Sequence, residues 1–216
     1  MGAVTVFTPA SKWLLDRVGR RACLYDSEAG IAIVQDAQRI KTHDFTVWSR
    51  VAIAISLLLA AVFFVRTRSI PLSVLMLLLC VAVSEAVLCD LVARVIPKEC
   101  CWAIALLGAF LQLAFGGVQG LLSGVVWALV LCALMYGLAS IFGNDEASGS
   151  VGGGDLRLLF AICVACGKLA LPAVLLGIGA AALWGCIGIC CKRLSKKDTF
   201  AFAPFLAAGI SVLALV

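Results

Sequence analysis

Two aspartates stand out by what surrounds them. Asp155 closes the run Gly152-Gly153-Gly154-Asp155 and leads at once into Leu156-Arg157-Leu158-Leu159, the start of an apolar stretch. Asp90 ends an earlier apolar segment, in Asp90-Leu91-Val92-Ala93-Arg94-Val95-Ile96-Pro97. A pair of carboxyl groups is suited to hydrolysing a peptide bond. One, ionised, takes a proton from water; the other, protonated, polarises the scissile carbonyl and later donates to the leaving nitrogen. Two carboxylates within a few Å do not both ionise cheaply, so such a pair shares one proton and supplies base and acid together.

Each position biases that sharing. Asp155 is expected in the first turn of a helix, where the backbone dipole favours the ionised form, and Asp90 near a helix C-terminus, which disfavours it. Asp155 is thus expected to be the resting base and Asp90 the resting acid, within a titration that belongs to the pair rather than to either residue. Gly152 and Gly154 permit backbone conformations closed to other residues, admit an extended substrate chain, and let Asp155 swing toward Asp90. An ordinary helix N-cap with a flexible lead-in uses the same residue types, so the second aspartate motif is what raises the glycine run above that reading. Glu85 is the only acidic residue well inside an apolar segment. It must be paired, hydrated or protonated there, which makes it a candidate for lining the active cavity; the plainer reading is a polar contact between helices. Arg157 is expected to anchor its helix at the lipid headgroups.

The elements that must carry these residues follow from composition. Of the 216 residues 63% are hydrophobic and only 13% charged, and a mean hydropathy of +1.13 excludes a soluble domain in favour of an all-α, polytopic membrane protein. The net charge of +5 then reads as topology rather than nucleic-acid affinity. Apolar segments are expected at 51–65, 70–89, 100–115, 121–142, 156–167, 171–191 and 200–216, a six-helix core preceded by one extra transmembrane helix. Residues 1–48 form a charged cytoplasmic tail, and 49–216 the membrane domain with its core at 70–216. The first apolar run is short at about 1.5 Å per residue against a hydrocarbon core of about 30 Å, so its flanking arginines must snorkel or Trp48 must extend it. Gly116-Gly117-Val118-Gln119-Gly120 reads as an external hairpin loop. Trp13, Leu14, Arg17 and Val18 recur at helical spacing, as in an amphipathic segment lying on the membrane surface; a disordered tail is the alternative.

Seven crossings with the N-terminus inside leave only Arg66, Arg68 and Lys168 of the seventeen basic residues outside. Cytoplasmic loops carry the excess of Lys and Arg, so this orientation is favoured, and it brings Asp90 and Asp155 to the same cytoplasmic face. The basic run Lys192-Arg193-Leu194-Ser195-Lys196-Lys197 is a cytoplasmic anchor. No metal or cofactor is expected. His43 has no Cys or His at ligand spacing beside it, and Cys163-Val164-Ala165-Cys166 has the spacing but no partner pair. Cys80, Cys89, Cys132, Cys163, Cys166, Cys186, Cys190 and Cys191 lie in or beside apolar segments and read as small hydrophobes.

An Asp followed six residues later by Ile-Pro, then by Gly-x-Gly-Asp at a membrane edge, resembles the prepilin peptidase family of membrane aspartic proteases. The resemblance runs from Ile70 to the C-terminus and takes in Phe202-Ala203-Pro204-Phe205-Leu206-Ala207-Ala208-Gly209, which is similar to that family's final-helix element. It implies Asp90 and Asp155 as catalytic residues, Pro97 as part of the first motif, and cleavage of the basic leader of a type IV prepilin or pseudopilin at the cytoplasmic face of the inner membrane. The substrate's cut falls just after a Gly that precedes a hydrophobic helix, and that helix would enter the bundle from the lipid. Glu99, Asp145 and Glu146 are the acidic residues able to receive a basic leader.

The chain departs from the family in places. The paired Cys-x-x-Cys insert of many full-length members, associated with metal binding and methylation, has no counterpart here, which points to the short, peptidase-only form. Lys98 stands where Asn commonly follows Ile-Pro. Two other readings remain: a Gly-x-Gly-Asp intramembrane protease with another substrate, against which Cys89 rather than Tyr precedes Asp90, and a transporter or scaffold in which both aspartates bind a cation or proton. A transporter would be expected to show internal repeats and helices broken near mid-membrane.

Overall fold

Residues 13, 16, 17, 43–142, 152–191 and 201–215 are described by a computed structural model of the chain. Their backbone is helical nearly throughout. With lipid in place of water, a spanning segment satisfies its amides internally, and the helix does so within one segment. The helices are α1 His43–Thr67, α2 Ile70–Ala93, α3 Lys98–Phe115, α4 Gly117–Phe142, α5 Gly153–Cys166, α6 Ala170–Cys190 and α7 Ala203–Leu215, with a 3₁₀ turn at Gly167–Leu169 between α5 and α6. Each apolar segment expected from the sequence coincides with one of these helices.

Among the described residues, four stretches are long and apolar enough to cross a bilayer: Ile70–Leu91, Lys98–Phe115, Gly117–Leu138, and the 38-residue run Gly153–Cys190 that joins α5 to α6. The chain is an all-α, multi-pass membrane helix bundle. The apolar part of α1, Val51–Thr67, is shorter, but α1 itself begins at His43, so helical backbone continues through Trp48 and supplies the added length. The glycine-rich segment after α3 is tighter than a loop. Gly116 N–H bonds back to the Gln112 carbonyl at 2.7 Å, Gly117 takes a φ of +60° that glycine adopts without penalty, and α4 begins there.

The chain divides into two compact units, one through Cys100 and one from Cys101 onward. In the first, α1 packs along α2. Thr67, Arg68 and Ser69 make the join: Arg68, at φ +53°, donates its N–H to the Phe64 carbonyl at 2.8 Å, and Pro71 sits in the opening turn of α2, where a missing N–H costs nothing. Midway along the pair, the hydroxyls of Ser56 and Ser84 meet at 3.2 Å, while Ser56 also donates to the Ala52 carbonyl at 2.8 Å. Such cross-helix hydroxyl contacts stabilise packing where lipid offers no competing partner.

In the second unit α5 is central. It packs on α4 and touches α6 and α7, and its Leu158, Leu159, Ala161, Ile162, Cys163 and Val164 are all buried. The face of α4 bearing Leu122, Val126, Leu129 and Leu134 is exposed, as a lipid-facing helix requires. At Gly124 a side chain would stand 2.7 Å from the Cys163 carbonyl, so glycine lets α4 approach the α5 backbone directly. The α6–α7 pair packs with Trp184 and Phe205 rings 6.4 Å apart.

Candidate active site

Asp90 lies in the last turn of α2. Its carbonyl accepts the Arg94 N–H at 2.9 Å, and Arg94, at φ 51° and ψ 35°, is the left-handed residue that ends the helix. Leu88, Cys89 and Asp90 are all buried, the aspartate only 4% exposed. Glu85 is buried on the same helix, 7% exposed. The two carboxyl groups are among the few buried polar side chains described, and both belong to α2. Such groups within hydrocarbon are rare and mark functional pathways. Pro97 is fully buried after the short connection Arg94 to Ile96, and Glu99 opens α3 as the acidic residue of its first turn.

Asp155 is the third residue of α5. Gly152 is the N-cap residue, and the Asp155 N–H bonds to its carbonyl at 2.9 Å, so the aspartate sits three positions past the cap rather than capping the helix itself. Gly152 has φ −60° and ψ 135°, a conformation open to every residue. What glycine offers here is therefore the missing side chain: a Cβ at Gly152 would stand 3.3 Å from Asp155 Oδ2. Gly153 has open space around it, Gly154 is half-buried, and Arg157 is exposed on the helix surface. The two aspartates belong to different compact units, and each is described against its own helices.

Both ends of α5 are tied down. Near Asp155, the Cys132 thiol on α4 donates to the Leu156 carbonyl at 3.6 Å. At the far end, Gln112 of α3 donates Nε2–H to the Ala165 carbonyl at 2.7 Å. Ala165 belongs to the last turn of α5, whose carbonyls lack helical partners, so the amide does there what a cap would do. The side chain fits because Gly167, at φ +57°, presents only hydrogen where a Cβ would collide with Gln112 Oε1. Sequence reading passed over Gln112. The available signal was that it is the one amide side chain in the apolar segment from Cys100 to Phe115.

The other candidates divide. Asp145, Glu146 and the Lys192 to Lys197 run lie outside the described residues. Of the amphipathic N-terminal segment, Trp13, Asp16 and Arg17 are described and helical. The Arg17 guanidinium stacks 5.0 Å from the centre of the Trp13 ring, and its Nε lies 3.9 Å from Glu99 Oε1. That contact, too, was not foreseen. Among the described residues no group of three His, Cys, Asp or Glu side chains is placed to hold a metal ion.

Comparison with known proteins adds one relative. Over 101 residues the chain is 31% identical to the prepilin leader peptidase/N-methyltransferase of Bacillus subtilis (strain 168), a stretch that is 46% of this chain and 36% of that protein. The match thus spans little more than a third of the relative's length. No family model matches the chain, and no solved structure does.

Proposed function

We propose that this protein is a membrane aspartic endopeptidase that removes the leader peptide from type IV prepilins or prepilin-like proteins at the cytoplasmic face of the inner membrane. The observation that carries the reading is the seating of the two aspartates in helix ends of opposite polarity, Asp90 in the last turn of α2 and Asp155 in the first turn of α5. The negative end of one dipole favours a neutral carboxyl and the positive end of the other an ionised one. That is the division of labour an acid–base pair needs. The partial likeness to a prepilin leader peptidase supports the choice of substrate.

In this reading Asp90 and Asp155 act on one water molecule. Asp155 takes its proton as the water attacks the scissile carbonyl, while protonated Asp90 polarises that carbonyl through a hydrogen bond and gives its single proton to the nitrogen as the C–N bond breaks, leaving the pair again with one proton, now on Asp155, to share. The substrate enters with its hydrophobic helix among the bundle helices and its scissile bond at the level of the glycine run. Arg157 holds α5 at headgroup depth. The peptidase step calls for no metal or cofactor, and the methyl-transfer half of the relative's name is not carried over.

The test is co-expression with candidate prepilins, following the leader-sized gel shift. Wild type should cleave, while Asp90→Asn and Asp155→Asn should each lose about a thousand-fold or more, because an acid–base pair works as a unit. Equal cleavage by all three would sink the proposal.

A further inference from the structure

We propose, resting on the peptidase reading, that Glu99 is the binding residue for the basic part of the substrate, and that Arg17 of the same chain occupies it in the resting state as a competitor. Glu99 is the second residue of α3, and only Arg94, Val95, Ile96 and Pro97 separate that helix from α2, which carries Asp90 in its last turn. A substrate segment held at Glu99 therefore lies at the same helix ends as one of the reacting carboxyl groups. Arg94 and Lys98 beside it are basic and exposed, which leaves Glu99 as the acidic exception in this connection.

The structure shows what kind of group Glu99 accepts. Arg17 reaches its Oε1 through Nε at 3.9 Å, with the two side chains 44% and 27% exposed, while Oε2 is buried. Arg17 comes from a segment remote in sequence and is braced against Trp13, so a guanidinium on a peptide-borne helical turn fits the seat. A contact of this length and exposure is weak and screened, which is what a displaceable occupant requires. Being tethered, Arg17 competes at an effective concentration on the order of millimolar. A substrate leader with several cationic side chains, anchored by its own membrane helix, is tethered too and outcompetes a single arginine. The ligand class is a Lys- or Arg-rich peptide segment.

The experiment separates this from the peptidase reading. The full chain carrying Asp90→Asn, in nanodiscs of zwitterionic phosphatidylcholine, is titrated with a fluorescent oligo-arginine peptide, with empty discs and an oligo-glutamine peptide as controls. Glu99→Gln is expected to weaken binding about two- to five-fold, and Arg17→Ala to tighten it by a similar factor. With Glu99→Gln already present, Arg17→Ala should change nothing. Tightening that persists in that background would mean a general charge effect, and binding indifferent to Glu99 would remove the seat; either result overturns the proposal. In cleavage assays Glu99→Gln should raise KM for a basic-leader substrate at unchanged kcat. Because peptide binding needs no chemistry, it stands or falls independently of the Asp→Asn result.

Discussion

Replacing Gly152 by alanine probes the site through a contact the structure specifies. A Cβ there stands 3.3 Å from Asp155 Oδ2, a few tenths of an ångström inside comfortable contact, so the carboxylate must shift by about that amount. Misplacement by about 1 Å costs a reacting group about a hundred-fold in rate, and a few tenths then cost about 3- to 10-fold in kcat. Valine adds two methyl groups at the same place and should cost about a hundred-fold. Stability should barely move. The backbone at Gly152, φ −60° and ψ 135°, is open to alanine, whose smaller unfolded-state entropy contributes about 0.4–1 kcal/mol. The weaker N-cap costs about the same, and the melting temperature should stay within about 2 °C of wild type. The assay is leader cleavage in nanodiscs, with kcat and KM separated, alongside thermal unfolding. If alanine and valine variants are folded and cleave at the wild-type rate, the position of the Asp155 carboxylate is immaterial and Asp155 is not a reacting group.

Two further outcomes follow from other elements. Gln112→Leu removes the bond to the Ala165 carbonyl and should cost about 1 kcal/mol within the membrane, lowering the melting temperature by about 2–4 °C. Gln112→Asn, one methylene shorter, should not rescue it, and a variant as stable as wild type would show that the bond does not hold α5. Alkaline phosphatase fused after Lys168 should be active and fused after Lys197 inactive, since the charge bias places the first outside and the second inside. The reverse pattern would put both aspartates on the outer face and refute cleavage at the cytoplasmic one.

The fold was legible because its signal is local. Hydropathy alone located the seven α-helices described from His43 onward, since a segment in lipid satisfies its own backbone whatever its neighbours do. The boundaries were less so. Nothing in Gly116-Gly117-Val118-Gln119-Gly120 distinguishes a loop from a one-residue reversal; the positive φ of Gly117 and the Gln112–Gly116 bond make it the latter. The aspartates and their helix ends were also readable, because polar residues at the edges of apolar runs are conspicuous. The role of Gly152 was not. Glycine is chosen for backbone freedom in one place and for missing volume in another, and only the position of Asp155 Oδ2 separates the two.

What the sequence by itself determined is the environment: a helical membrane chain, its apolar helical segments, and two carboxyl groups at the margins of helices. Those properties depend on the transfer of each segment from water to lipid, which composition controls. Only the tertiary structure decided that Asp90 and Glu85 are both buried on α2, that Gln112 holds the far end of the helix carrying Asp155, and that Arg17 reaches Glu99 across more than eighty residues of chain. These are contacts between positions with no periodic relation in sequence. Their existence depends on how closely helices approach, which glycines such as Gly124 and Gly167 permit but no local pattern announces.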